Sequence, residues 1–157
     1  MKIMIVAVGR LREAYFRAGM DEYIARIRRY VPVEEVEVPA GDGQEGNGRG
    51  MRTLVAEGER LRKALAKESF IICLDREGKA FSSEDFSGWL QKRMGESVPR
   101  LAFVVGGAWG LSPSILTMSK LRLSLSPMTI PHELARLVLA EQVYRALTLW
   151  KGEQYHK

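Results

Sequence analysis

The chain has 157 residues, 46% of them apolar and 27% charged, which fits one water-soluble domain with a substantial core and no more. No apolar run approaches the ~20 residues needed to span a bilayer. One cysteine, Cys73, and two distant histidines, His132 and His156, leave neither a disulfide nor a metal-ligand spacing, and the formal charge of +5 leans toward a polyanionic partner.

These bounds describe a cytoplasmic, metal-free single domain over residues 1–157. MKIMIVAVG reads as a first strand, Lys2 to Val8, because no small-residue cleavage site follows it. Residues 12–30 carry helical periodicity, with Tyr15, Tyr23, Ile24, Ile27 and Tyr30 near one face and Gly19 as an interruption. VEEVEV (Val33 to Val38) lies between Pro32 and Pro39 and is charged, which suits an outer strand. AGDGQEGNGRG then reads as a flexible glycine-rich loop. Met51, Leu54, Val55, Gly58, Leu61 and Leu65 form the stripe of a second helix, and FIICL (Phe70 to Leu74) is a third strand with Cys73 as an inert core thiol.

Ser82 or Ser83 caps a helix running to about residue 94, with Glu84 and Asp85 at its positive end. LAFVV (Leu101 to Val105) is a fourth strand ending at Gly106–Gly107. A short helix starts near Ser112–Pro113, LRLSL (Leu121 to Leu125) is a fifth strand, and a long helix runs from about Pro131 to Trp150. Continuously apolar strands alternating with helices predict an α/β fold: a mostly parallel sheet of about five strands with helices on both faces. Ligands in such sheets bind beyond the carboxyl ends of the strands. The ends at LDREG, GGAWG and Leu125 to Ile130 would form one site if their strands are neighbours.

GGAWG follows a strand as phosphate loops do, yet it lacks both the dinucleotide glycine spacing and the P-loop lysine. Its glycines allow a flat ligand such as a nucleoside to approach the backbone, or simply make a tight turn. Trp109 there can shield the cleft, contact RNA or merely pack. Apolar residues nearly encircle the last helix, which calls for a second covering surface, most naturally another subunit in a twofold dimer. His132 and Arg136 fall on the broad apolar arc of that helix. Buried there, the arginine needs a partner, either in a structural ion pair with a glutamate or in a site at the sheet end. A neutral His132 would suit hydrogen bonding or general-base work, and it could equally be a helix cap. The tail GEQYHK reads as a frayed end or as a small set suited to stacking and phosphate contact. Arg10, Arg12, Arg17, Arg26, Arg28 and Arg29 cluster after the first strand, followed by Arg49, Arg52, Arg60, Arg62 and Lys63. Glu13, Asp21, Glu22, Glu57 and Glu59 partly balance them as a solvated face.

IVAVGRLRE, EEVEVP, LDREGK, FVVGGAWGLS, LSLSPMTIPHELAR, LAEQVYRA and GEQYHK together resemble the ribosomal RNA large subunit methyltransferase H family, a compact branch of the SPOUT methyltransferases, essentially end to end. The resemblance implies a homodimer with a C-terminal trefoil knot that uses S-adenosylmethionine to methylate N3 of a pseudouridine in large-subunit (23S) ribosomal RNA, on assembled ribosomes. It implies cofactor contacts at Leu74, Gly106, Leu125, Ser126, Pro127, Met128, Thr129 and Ile130. The glycine-rich Asp42 to Arg49 stretch and Trp109, at a variable position of GGxxG, receive no role from it. Within this chemistry, Arg136 would stabilise the developing imide anion, Tyr155 and His156 would place the substrate or remove its proton, and His132 is the alternative base. A non-catalytic ribosome- or RNA-binding factor is the competing reading, followed by a nucleotide-binding signalling domain on a flavodoxin-like sheet.

Overall fold

A computed structural model describes residues 1–41, 49–65, 69–96 and 98–155. In chain order the elements are β1 (Lys2–Val8), α1 (Ala14–Ile27), β2 (Val33–Val38), α2 (Arg49–Ala64), β3 (Ser69–Ala80), α3 (Ser83–Gly95), β4 (Arg100–Val105), α4 (Pro113–Met118), β5 (Leu121–Ser124) and α5 (His132–Trp150). The strands form one five-stranded sheet in the order β2-β1-β4-β3-β5. All its pairings are parallel.

Alternation of side chains across the pleat builds two cores from the same strands. Ile3, Ile5 and Ala7 of β1 join Leu101, Phe103 and Val105 of β4 on the face covered by α1, α3 and α5. Met4, Val6 and Val8 join Ala102 and Val104 on the face under α2 and α4. Because both faces are covered, β1 and β4 are apolar at nearly every position, whereas the charged VEEVEV takes the edge as expected.

Several boundaries differ from the sequence reading for local reasons. Gly19 does not break α1; a Cβ there would come within 2.9 Å of Leu137 Cδ1, so the glycine marks where α1 lies against α5. Tyr15 is exposed rather than on the buried face, which consists of Met20, Ile24 and Ile27. β3 continues past Leu74 to Ala80, because Leu123 of β5 pairs first with Leu74 and then with Lys79, leaving Asp75–Gly78 as an excursion at the strand end. Ser82 is the cap of α3, its hydroxyl accepting from the Asp85 N–H at 3.0 Å. Much of the second covering of α5 comes from within the chain, since α5 contacts both α1 and α3. Leu134 and Leu149 remain as its exposed apolar positions. Residues 42–48 of the glycine-rich loop lie outside the described residues.

Among the described residues no helix is long and apolar enough to cross a membrane. Cys73 is buried, and desolvation pushes its thiol up to about 11, so the group stays protonated and unreactive near neutral pH. Phe103 lies fully buried in the larger core. Urea denaturation should show Phe103→Ala losing ~3–5 kcal/mol of stability, against less than about 0.5 kcal/mol for the exposed Tyr15→Ala.

Candidate active-site cleft

A cleft of about 710 Å³ opens beyond the carboxyl ends of β4, β3 and β5. Its walls are the glycine turn after β4, the Asp75–Glu77 excursion of β3, the loop after β5, and the start of α5. Leu74, Gly106, Leu125, Ser126, Met128, Thr129 and Ile130 all line it; Pro127, between Ser126 and Met128, does not. Such a volume is in the range of small-molecule sites, roughly 300–1,000 Å³.

Glycines set the shape of this cleft. A Cβ on Gly106 would sit 2.4 Å from the Gly110 carbonyl oxygen, so only glycine fits there. Gly107 and Gly110 close the turn, the Gly110 N–H donating to the Gly107 carbonyl at 3.1 Å, with Gly110 at a φ of +81°. GGAWG is thus a tight turn and a cleft wall at once. Trp109 is half exposed at the rim, and a side chain on Gly50 of α2 would meet its ring at 3.2 Å. On the opposite wall, a Cβ on Gly78 would lie 2.5 Å from the Arg122 carbonyl oxygen, so the β3 excursion is seated directly on β5.

Polar contacts then lock the loops. The Arg122 guanidinium donates to Asp75 Oδ2 at 2.6 Å, the Glu77 N–H donates to Asp75 Oδ1 at 3.0 Å, and the Ser124 hydroxyl donates to the Arg76 carbonyl at 3.0 Å. The Met128 N–H donates to Ser126 Oγ at 3.0 Å, shaping the loop after β5. Leu74, Val105, Leu116 and Leu123 supply apolar lining. Apolar surface with backbone donors and acceptors suits an uncharged heterocycle better than a phosphate.

His132 is the first residue of α5 and lines the cleft, half-buried. Arg136, one turn later, does not line it. Its fully buried guanidinium donates from Nη1 to Glu37 Oε1 at 2.8 Å, with Glu35 Oε1 at 3.5 Å. From Nη2 it donates to the carbonyls of Gly9 at 2.6 Å and Val8 at 3.2 Å. Arg17 of α1 also reaches Glu35, at 2.6 Å. The charges of VEEVEV therefore belong to an ion-pair network as well as to an edge strand.

Tyr155 lies beyond the other end of α5. A helix of 19 residues is ~27 Å long, so the first turn and the tail are widely separated within one subunit. The Tyr155 ring meets Tyr144 edge-on at 4.7 Å under the Arg145 guanidinium. Burial, then a hydrogen bond with Tyr23, raises its hydroxyl pKa above the ordinary phenol value. Gly152 ends the helix at a φ of +69°, and Tyr30 donates to Glu153, so the described part of the tail is tied down rather than frayed. His156 lies outside the described residues.

Sequence reasoning missed Glu57, which counts as a balancing surface charge in the sequence but is 4% exposed. Its Oε1 accepts from the Gly41 N–H at 2.8 Å, and a Cβ on Gly107 would lie 3.3 Å from its Oε2. Gly58 beside it would clash with Ser112 Oγ at 2.4 Å. The signal available was the place of Glu57–Gly58 beside the apolar stripe of α2. Asp75 and Arg122 were missed for a different reason, being 47 residues apart with no local pattern joining them. Among the described residues no cluster of His, Cys, Asp and Glu could hold a metal ion.

A family profile described as "Predicted SPOUT methyltransferase" matches residues 1–156. The chain is 40% identical over 159 residues to the ribosomal RNA large subunit methyltransferase H of Alkaliphilus oremlandii, with 100% of each chain covered. It is 39% identical over 156 residues to the protein of the same name from Syntrophotalea carbinolica, with 99% of each chain covered. The corresponding Carboxydothermus hydrogenoformans protein is 38% identical over 159 residues, again with 100% of each covered.

Removing Arg136 would leave Glu35 and Glu37 with only the half-exposed Arg17 as a cationic partner among the described residues. Arg136→Ala should cost about 3 kcal/mol in urea denaturation, the low end for breaking a buried pair because both carboxylates keep some contact with water. His132→Ala, at a half-buried position lining the cleft, should cost under about 1 kcal/mol.

Proposed function

The chain belongs to the SPOUT methyltransferase family, and from that premise we propose that it methylates N3 of a pseudouridine in large-subunit (23S) ribosomal RNA on assembled ribosomes, using S-adenosylmethionine. The observation that carries the reading is the cleft itself: seven of the eight expected cofactor positions line one cavity whose floor excludes a side chain at Gly106. The residues fit the cofactor, because the bare Gly106–Gly107 backbone and the apolar Leu74, Leu123 and Leu125 accommodate a nucleoside. Gly106, Leu74 and the Leu125–Ile130 loop would hold it, and when bound it supplies an electrophilic methyl group on a sulfonium.

The protein's own work is placement and proton removal. The imide proton on the base must leave before or during attack. His132 lines the cleft, and in this reading its imidazole accepts that proton, directly or through a water. Arg136 is assigned a positioning role: its guanidinium is engaged by carboxylates and carbonyls, and it fixes the first turns of α5 against the ends of β1 and β2.

Tyr155 and His156 enter the reading through a homodimer. The tail of one subunit is too far from that subunit's own cleft, whereas an antiparallel twofold pairing of α5 brings it to the cleft of a second copy. Leu134 and Leu149 support such a pairing, being exposed and only ~60° apart around the helix. The reading also takes in the trefoil knot, on the strength of the family match. A cytoplasmic enzyme is consistent with this substrate.

Labelled methyl transfer from S-adenosylmethionine should appear with ribosomes or large subunits that carry the pseudouridine and disappear when the isomerisation is blocked. His132→Ala should lower the single-turnover rate by about 100-fold with cofactor affinity unchanged. If His132→Ala is unaffected and His156→Ala is slow, the proton goes to the tail instead. Ribosome binding with no transfer in any combination would favour the non-catalytic factor.

A further inference from the structure

The connection between β1 and α1 is an unusual loop because nearly all of its backbone is pinned. Gly9 turns at a φ of +80°, and its N–H donates to the Val38 carbonyl at 2.8 Å. The Leu11 N–H donates to Glu37 Oε1 at 3.3 Å. The Arg12 and Glu13 N–H groups both donate to Glu133 Oε2, at 2.9 and 3.4 Å. Arg136 holds the carbonyls of Val8 and Gly9. Among the described residues no partner holds the Arg10 N–H.

Leu11 packs against the larger core, whereas the Arg10, Arg12 and Glu13 side chains are exposed. Arg10 and Arg12 are exposed, and among the described residues neither meets a carboxylate. Arg17, Arg26, Arg62, Arg93, Arg122 and Arg145 each form an ion pair, while among the described residues Arg28 and Arg29 after α1 and Arg52 and Arg60 on α2 form none. Of the acids around the loop, Glu37 and Glu133 are already engaged by Arg136 and by the loop's own amides, and the exposed Glu13 next to Arg12 forms no ion pair among the described residues. Glu133 directly follows His132, which lines the cleft, so the loop borders the cleft on the β1 side. Arg76, exposed on the opposite wall, likewise meets no carboxylate among the described residues.

An exposed arginine alone would be an ordinary solvated charge. Two unpaired arginines on a pinned loop beside a substrate cleft form a pre-organised cationic rim, since little backbone ordering remains to oppose binding. We propose that the β1–α1 connection is a phosphate-binding rim, in which Arg10 and Arg12 each engage an RNA phosphate flanking the nucleotide presented to the cleft. This deepens the reading of the protein as an RNA methyltransferase and rests on it.

The test uses the full-length protein and a single-stranded RNA oligonucleotide, with Kd measured across a salt series. In the double variant Arg10→Gln/Arg12→Gln, the slope of log K against log[salt] should shrink by about 1.4, or ~0.7 per phosphate contact. Affinity for S-adenosylmethionine, read by calorimetry, should stay unchanged. Arg100→Gln removes an equally exposed arginine at the far end of β4 and should leave the slope alone. An unchanged slope in the double variant overturns the proposal, as does an equal per-arginine change in Arg100→Gln, which would mean that only overall charge matters. Pinning is tested by Glu133→Ala against Glu133→Gln, which remove the same charge while only glutamine keeps an acceptor for the loop amides. The alanine variant should bind RNA more weakly, and equal or tighter binding contradicts the pinned rim. The two readings fail separately. A wild-type protein with the expected slopes but no methyl transfer refutes the reaction, whereas active protein with unchanged slopes refutes the rim alone.

Discussion

The Arg136 guanidinium reaches from the second turn of α5 to Glu35 and Glu37 of β2 and to the carbonyls of Val8 and Gly9 at the end of β1. Burying an arginine completely is unfavourable unless its charge is met, and here two carboxylates and two carbonyls meet the Nη1 and Nη2 ends while Nε stays without a partner. The consequence is geometric. The start of α5, the edge strand and the exit of β1 are fixed to one point, and both the cleft histidine and the β1–α1 loop depend on that point for their positions. A hydrophobic residue of similar size could fill the space without imposing the same directional register.

Glycines complete the cleft by removing side chains where backbones must touch. Gly106 lies against Gly110 within one turn and Gly78 against the Arg122 backbone, so backbones meet there without intervening side chains, while Gly107 leaves room for the Glu57 carboxylate of α2. A site built this way recognises a ligand through peptide groups and apolar walls, which need no reorganisation when it binds. Asp75 and Arg122, which also line the cleft, are paired with each other, and Arg136 lies behind the wall. That division suits a reaction in which one small cofactor is enclosed and one large polyanion is held from outside.

Much of this was legible in the sequence because the physics was local. Continuous apolar runs marked β1, β3 and β4, the charged VEEVEV marked an edge, and the glycine turn after β4 marked a cleft wall. What stayed hidden depended on distance along the chain. Arg136 and Glu37 are 99 residues apart, so a partner could be required by burial but not named. The extension of β3 through DREGKA has no apolar signal and exists because β5 pairs with it after a bulge. Glu57 looked like a surface charge because its solvent is displaced by loops that follow β2 and β4. The arc of α5 asked for a second cover, and α1 and α3 supply most of it.

The central claim is that the glycine-walled cleft at the strand ends is the cofactor site. Calorimetric titration of S-adenosylmethionine into the wild-type protein and into Gly106→Val tests it most directly. A valine side chain would collide with the Gly110 carbonyl, where even a Cβ has only 2.4 Å. The account predicts saturable binding to the wild type and a loss of at least about 100-fold in the variant, with the variant still folded by circular dichroism. A wild-type protein that binds no cofactor, or a folded variant that binds it equally well, would contradict the account.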